Sequence, residues 1–132
     1  MTSSKDHVLI QLVWTTHQRA ALIEPQFESR LHQAMTGKAL SLGCLVLAVG
    51  GTDDHVHMLL GLNPTVALAD VVRQIKGYSS HLANASCAPT QHFRWQEGYG
   101  AFSVDCRSFE AARRYVLEQR ERHALGIMDD SF

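Results

Sequence analysis

Apolar runs alternate with amphipathic stretches along the chain, and this pattern predicts four strands and three helices. Residues 7–14 (HVLIQLVW) are apolar and rich in β-branched and aromatic side chains, as is typical of a buried strand. Further strands are predicted at residues 44–49, 55–62 and 100–104. The second and third are joined by residues 50–53 (GGTD), a turn sequence that predicts a hairpin with room for a bulge.

Helices are predicted where apolar residues recur at helical spacing. The first begins at Glu24-Pro25, because proline suits the first turn, and Gly43 ends it. The second covers residues 66–85 after the capping sequence NPT and leads into a loop at 86–91. Ser108 is the predicted cap of the third helix, which extends to about residue 125, before Gly126.

The resulting order, β-α-β-β-α-β-α, predicts an α+β fold: a ferredoxin-like antiparallel sheet with helices mainly on one face. A length of 132 residues, with 45% apolar and 19% charged side chains, suits one domain over residues 1–132. Residues 1–6 and 127–132 are predicted to be flexible tails.

Composition indicates where in the cell the protein works but does not identify its binding partner. No apolar stretch reaches membrane-spanning length, and the first residues do not resemble a signal peptide. Three widely spaced cysteines indicate free thiols, which favours the cytoplasm. A net charge of -1 argues weakly against a nucleic-acid partner, but basic residues cluster at 73–76 and 113–122, so the net charge does not decide the question.

The most informative segment is His55-Val56-His57 on the third predicted strand. Side chains alternate along a strand, so the two imidazoles face the same way while Val56 faces the core. Their backbone positions lie roughly 6.5–7 Å apart, which allows both rings to converge on one metal ion. The pair predicts two ligands of an incomplete metal site.

The last predicted helix offers the missing groups. Tyr115 and Gln119 are four residues apart and share one face, and His123 continues the row. If this helix packs beside the strand, Gln119 supplies a third, oxygen ligand and Tyr115 supplies a nucleophile. By spacing alone, a core position is the commoner interpretation of Tyr115, and Tyr78 and Tyr99 compete for the role of nucleophile.

Four segments in order resemble the HUH-type single-tyrosine transposases of the insertion sequence 200/605 group, including the REP-associated tyrosine transposases. The segments are residues 54–60 (DHVHMLL), 74–80 (QIKGYSS), 95–104 (WQEGYGAFSV) and 115–119 (YVLEQ). The resemblance implies that His55, His57 and Gln119 bind Mg²⁺ or Mn²⁺. It also implies that Tyr115 attacks single-stranded DNA and forms a 5′-phosphotyrosine, without a nucleotide cofactor.

The same resemblance implies DNA hairpins as the partner, a homodimer, and a prokaryotic cytoplasmic protein that works at the nucleoid. The tyrosine helix could complete the site of its own subunit or of the partner, and the sequence does not decide between them. Predicted DNA contacts, where cations follow phosphates and aromatic rings stack on bases, are Arg73, Lys76, Arg94, Trp95 and His123. Two alternatives stay open: a domesticated or non-cleaving hairpin-binding module of the same fold, and a small-molecule metalloenzyme.

Overall fold

A computed structural model describes residues 7–119 and residue 121. Its elements follow the predicted order, β-α-β-β-α-β-α, with two short 3₁₀ turns at His17–Arg19 and Cys106–Ser108. The strands are β1 (Val8–Thr15), β2 (Leu45–Gly51), β3 (His55–Leu62) and β4 (Gly100–Ser103), and the helices are α1 (Glu28–Ser41), α2 (Leu68–Ser86) and α3 (Phe109–Leu117).

The strands form one antiparallel sheet in the order β2-β3-β1-β4, so β3 is a central strand. This confirms the predicted α+β, ferredoxin-like class. The predicted β2–β3 hairpin is present, and its irregularity lies between Val46 and Ala48, inside β2 and not in the turn. Register places Val13 of β1 and Gly50 of β2 directly opposite His57.

The two faces of the sheet carry different layers. Val56, Met58 and Leu60 of β3 point into the main core, which they share with apolar residues of α1 and α2. The alternate residue Leu59 points to the opposite face, where it packs in a smaller cluster with Ala48 of β2 and Val116 of α3. Two helices therefore share one face, as predicted, while α3 covers the other face, the one that carries the histidine pair.

Glycine at position 50 allows α3 to lie directly on the sheet. A Cβ atom at this position would come within 2.0 Å of the carbonyl oxygen of Val116 and 2.9 Å of its carbonyl carbon. Those atoms are helix backbone, so a side chain here could be accommodated only by moving α3. Gly50 also lies opposite His57, which puts this close contact next to the histidine pair.

The first two helices begin later than predicted, because the polar side chains expected at their starts form hydrogen bonds outside the helices. α1 begins at Glu28, four residues after the predicted Glu24, whose carboxylate accepts hydrogen bonds from the backbone and hydroxyl of Thr90. α2 begins at Leu68 and not at Val66, because the side chain of Asn63 closes a turn instead of a helix end.

The N-cap residue of α3 is Ser108, as predicted, but its side chain makes no capping hydrogen bond. Asp105 caps the preceding 3₁₀ turn, where its carboxylate accepts from the backbone N–H of Arg107 at 2.9 Å. The helix ends at Leu117, where Glu118 leaves helical geometry. The rest of the predicted helix, apart from residues 119 and 121, and both predicted tails lie outside the described residues. Across the part of the chain that is described, none of the helices has the length and apolarity needed to cross a membrane.

Substituting Gly50 by alanine should displace α3. We expect Gly50→Ala to lower the free energy of unfolding by about 1–3 kcal/mol, because the new methyl group overlaps helix backbone. The matched control is Gly37→Ala in α1, where a Cβ meets nothing within 4 Å; it should stabilise by up to about 1 kcal/mol. Denaturant unfolding measures both. Equal stability of the two variants would refute the packing of α3 on Gly50.

Candidate functional site

The histidine pair lies at the start of β3, on the face covered by α3. His55 is 4% exposed and His57 is 6% exposed, and their ring centroids are 5.2 Å apart. The predicted shared orientation of the two rings is therefore present. Because imidazoles this deeply buried require polar partners, the groups around them define the site.

The C-terminal end of α3 brings the predicted nucleophile to the pair, and the residues directly after the helix bring the predicted third ligand. The Oε1 atom of Gln119 lies 3.2 Å from Nε2 of His55, and the Tyr115 ring centroid lies 5.3 Å from that of His57. The Gln119 amide N–H donates to the backbone carbonyl of Tyr115 at 2.8 Å, so its oxygen is the end directed at His55. All four residues meet within one chain.

On its other side, His55 is held by the turn that precedes it. Its Nδ1 lies 2.8 Å from the hydroxyl of Thr52 and 2.9 Å from a carboxylate oxygen of Asp54, while Arg19 lies 3.5 Å from the second carboxylate oxygen. Burial acts to raise the pKa of Asp54, but the hydrogen bond to His55 and the charge of Arg19 outweigh it and lower the pKa below its usual value. An ionised carboxylate can only accept a hydrogen bond, so Asp54 is an acceptor beside Nδ1 of His55.

This arrangement suits a divalent cation. Nε2 of His55 and Oε1 of Gln119 lie 3.2 Å apart, and an imidazole nitrogen and an amide oxygen this close can serve as ligands of one cation. Neighbouring ligands of octahedral Mg²⁺, each about 2.1 Å from the ion, lie about 3 Å apart. A carboxylate on the outer nitrogen is also the usual support of a metal-binding histidine.

The donor set differs from that of a closed zinc site. Within residues 7–119 and residue 121, no three His, Cys, Asp or Glu side chains gather as a possible metal cluster. The third donor is instead the amide oxygen of Gln119. Mixed nitrogen and oxygen ligands favour Mg²⁺ or Mn²⁺ over a closed thiolate or imidazole cage.

Three contacts of the pair were missed from the sequence: Gln11, Thr52 and Asp54. The Gln11 side-chain nitrogen lies 3.3 Å from Nδ1 of His57, although the two residues are 46 positions apart. Asp54 stands next to His55 in the sequence, so a carboxylate beside a ligand histidine was the one available signal. No sequence pattern pointed to Gln11, because its contact depends on the pairing of β1 with β3.

The residues predicted to contact DNA differ in their exposure to solvent. Arg94 is exposed, and Arg73 is exposed and pairs with Asp70 at 3.0 Å. Trp95 is buried in the main core, where its indole N–H donates to Ser79, so its ring is not available for the predicted stacking on a base. His123 lies outside the described residues.

Lys76, another predicted DNA contact, also stabilises the fold. Its ammonium donates to the backbone carbonyls of Gln96 and Gly98, at 2.6 and 3.0 Å, and so ties α2 to the segment before β4. Burial lowers the pKa of Lys76, and the nearby charge of Glu97 opposes this shift without cancelling it.

Lys76 and Arg94 line one groove of about 620 Å³ between α2 and residues 92–95, here called the basic groove. The other lining residues are Gly77, Ser80, His81, Asn84, His92, Phe93 and Trp95, and none of them is acidic. Asn84 fixes the wall by bonding both the N–H and the carbonyl of Phe93. The groove can accept negatively charged groups, and all its lining residues belong to the described chain.

Comparisons with known proteins give a consistent family and fold. A family model described as "Transposase IS200 like" matches residues 4–119. A protein assigned as a transposase from Deinococcus radiodurans R1 superposes with a TM-score of 0.68 at 23% identity, covering 83% of this chain and 88% of that one. A REP-associated tyrosine transposase bound to a REP hairpin superposes with a TM-score of 0.67 at 13% identity, covering 93% and 71%. No curated protein sequence matches significantly.

Removing the Lys76 ammonium should loosen the segment before β4. We expect Lys76→Met to lower the free energy of unfolding by about 0.5–1.5 kcal/mol, since two backbone carbonyls lose a charged donor. Arg73→Met, one turn earlier on α2, removes only an exposed ion pair and should change stability by less than about 0.5 kcal/mol. Denaturant unfolding and amide exchange at Gly98 measure the effect; unchanged exchange at Gly98 would contradict it.

Proposed function

Since this chain belongs to the IS200-like transposase family, whose model matches residues 4–119, we propose that it is a metal-dependent transposase of single-stranded DNA. It binds DNA hairpins and cleaves and rejoins strands through a covalent 5′-phosphotyrosine. Family membership confirms the resemblance seen in the sequence. The observation that carries the proposal is the meeting of three buried residues, His55, His57 and Gln119, with the half-buried Tyr115.

In the proposed reaction, the phenolic oxygen of Tyr115 attacks the phosphorus of a phosphodiester. A bond forms between that oxygen and phosphorus, and the bond from phosphorus to the 3′ oxygen breaks. The phenol loses its proton, and the departing oxygen gains one to become a 3′-hydroxyl. The 5′ phosphate stays on Tyr115 as a phosphodiester, so a 3′-hydroxyl of another strand can reverse the step without a nucleotide cofactor.

His55, His57 and Gln119 are the residues that would hold the metal ion. When bound, Mg²⁺ or Mn²⁺ supplies positive charge to the scissile phosphate and orients it, which matters because a tyrosine of ordinary pKa near ~10 is a weak nucleophile at neutral pH. Asp54 lies against Nδ1 of His55, the position where a carboxylate commonly supports a metal-binding histidine. Gln119 links the two roles, because its amide contacts His55 at one end and the Tyr115 backbone at the other.

The basic groove is the surface that we assign to the hairpin. Its side chains carry positive charge or are neutral, which suits the phosphates of a folded strand. The REP-associated tyrosine transposase with a similar fold was solved bound to a REP hairpin, which supports hairpin DNA as the ligand class here. A homodimer belongs to the same proposal; the described chain contains the four site residues without a partner subunit.

Tyr115 should be the residue that becomes linked to DNA. Incubated with single-stranded hairpin DNA and Mn²⁺, the wild type should form an adduct that survives denaturing electrophoresis, and Tyr115→Phe should form none. Tyr78→Phe is the control, since Tyr78 is exposed on α2, outside the cluster, and its loss should leave the adduct unchanged. If Tyr115→Phe formed as much adduct as the wild type, the mechanism would be wrong. If the wild type bound the hairpin without forming any adduct, the non-cleaving module would be favoured.

Arg94 should contribute one phosphate contact. We expect Arg94→Ala to weaken hairpin binding and to reduce the slope of log affinity against log salt by about one. Arg30→Ala, which removes an exposed arginine of α1 outside the basic groove, should leave the slope unchanged. Fluorescence anisotropy over a salt series measures both. If the two variants gave the same slope, the hairpin would have to bind elsewhere.

A further inference from the structure

Within the described chain, α3 covers only part of the sheet face that carries the histidine pair. The helix packs on β2 and β3, where Val116 meets Ala48 and Leu59. β1 and β4 form the other half of the sheet, and there a groove of about 560 Å³ lies between β4 and α3. Tyr115 forms part of its wall, and it is here called the tyrosine groove.

Phe102 is the exposed aromatic side chain of this groove. It is 40% exposed although it lies on a strand, and it belongs to neither buried cluster of the fold. In the register of β1 and β4 it lies directly opposite Gln11. Side chains opposite one another in a sheet point to the same face, so the Phe102 ring lies on the face that carries the histidine pair. The fold leaves this ring surface accessible to a ligand.

The charge of the tyrosine groove differs from that of the basic groove. Among the described residues that line it, Asp105 is the one charged side chain. Arg107, which is not a lining residue, pairs with the Asp105 carboxylate at 3.1 Å, and its hydrogen bonds lower the pKa of Asp105. A phosphate here would face an ionised carboxylate and no lining cation, which disfavours it. A nucleobase is uncharged and flat, and so suits an aromatic ring with polar neighbours.

The tyrosine groove is continuous with the histidine site. Tyr115 belongs to both, and its ring centroid lies 5.3 Å from that of His57. Gln11 also lines the groove, while its side-chain nitrogen lies 3.3 Å from Nδ1 of His57. A phosphodiester attacked by Tyr115 carries a nucleoside on each side. A base next to the scissile phosphate is therefore within reach of the groove.

We propose that the tyrosine groove holds one unpaired nucleobase next to the phosphodiester that Tyr115 attacks, and that this base stacks on Phe102. The inference rests on the proposed function, because it places the cleaved strand relative to its nucleophile. It assigns phosphates to the basic groove and a base to the tyrosine groove. Stacking tolerates any sequence, since every base has a π-face, so Phe102 positions the strand without selecting the base.

The fluorescence of 2-aminopurine, which falls when this base stacks, tests the contact. The probe is a DNA hairpin with a single-stranded extension that carries 2-aminopurine at one position at a time. It is bound to the full chain without divalent metal, so that the strand stays intact. One position should be quenched by the wild type and by Phe102→Trp but not by Phe102→Ala. Tyr78→Ala, which removes an exposed aromatic ring from α2, is the control and should quench like the wild type.

Removing the base at that position measures the strength of the contact. With the base present, Phe102→Ala should weaken hairpin binding about 5- to 150-fold. With an abasic nucleotide there, the wild type and Phe102→Ala should bind alike. Phe102→Leu keeps an apolar side chain on β4 but lacks the aromatic face, so it should also lose the quenching. This variant separates stacking from any effect of Phe102→Ala on folding.

Three results would overturn the role of Phe102. They are wild-type affinity in Phe102→Ala, an equal loss of affinity with the abasic strand, and a quenched position that does not adjoin the bond where the Tyr115 adduct forms. A change of oligomeric state in Phe102→Ala, measured by ultracentrifugation without DNA, would also overturn it, because a second copy of the chain would then cover the ring. Phe102-dependent quenching without any wild-type adduct would support base binding in the groove and reject cleavage, the proposed function.

Discussion

The site depends on one close contact, the packing of the α3 backbone against Gly50 of β2. Without a side chain at that position, the carbonyl of Val116 can lie directly on the sheet, next to the strand residue opposite His57. Tyr115 directly precedes Val116 and Gln119 follows it by three residues, just beyond the end of α3, so the same contact positions both relative to the histidines. A helix held farther away by a methyl group could not keep a 3.2 Å contact between Gln119 and His55. The chemistry of the cluster therefore follows from backbone packing as much as from the four side chains.

Hydrogen bonds around the cluster then fix the orientation of its side chains. The amide of Gln119 is oriented because its nitrogen is used by the Tyr115 carbonyl. The ring of His55 is oriented because Asp54 and Thr52 use its Nδ1. Each constraint comes from a group that is itself fixed by backbone structure, so Nε2 of His55 and Oε1 of Gln119 are held 3.2 Å apart by the protein itself. Preorganisation of this kind lowers the cost of binding an ion.

Sequence patterns predicted the strands, the histidine pair and the Tyr115–Gln119 spacing, because these depend on local periodicity. They did not predict that α3 covers the face opposite α1 and α2, which follows from the three-way packing of Val116, Leu59 and Ala48. Nor did they distinguish Trp95 from an exposed aromatic residue. The buried indole N–H of Trp95 donates to the hydroxyl of Ser79, which lies on α2, 16 positions earlier in the sequence. Long-range partners are what single-sequence reasoning lacks here.

A short segment after β1 connects the cluster to the basic groove. Thr16 donates its backbone N–H to the carbonyl of Asp54 and pairs with Trp95, and the N–H of His17 donates to the carbonyl of Arg94. Arg19, held with a positive φ of 55°, turns its side chain to the Asp54 carboxylate. Left-handed backbone at a residue other than glycine costs about 1–2 kcal/mol, so this turn persists because these bonds hold it. The walls of the groove and the support of His55 are thus parts of one bonded unit. An anionic group bound in the groove would accordingly have a fixed position relative to the histidine pair.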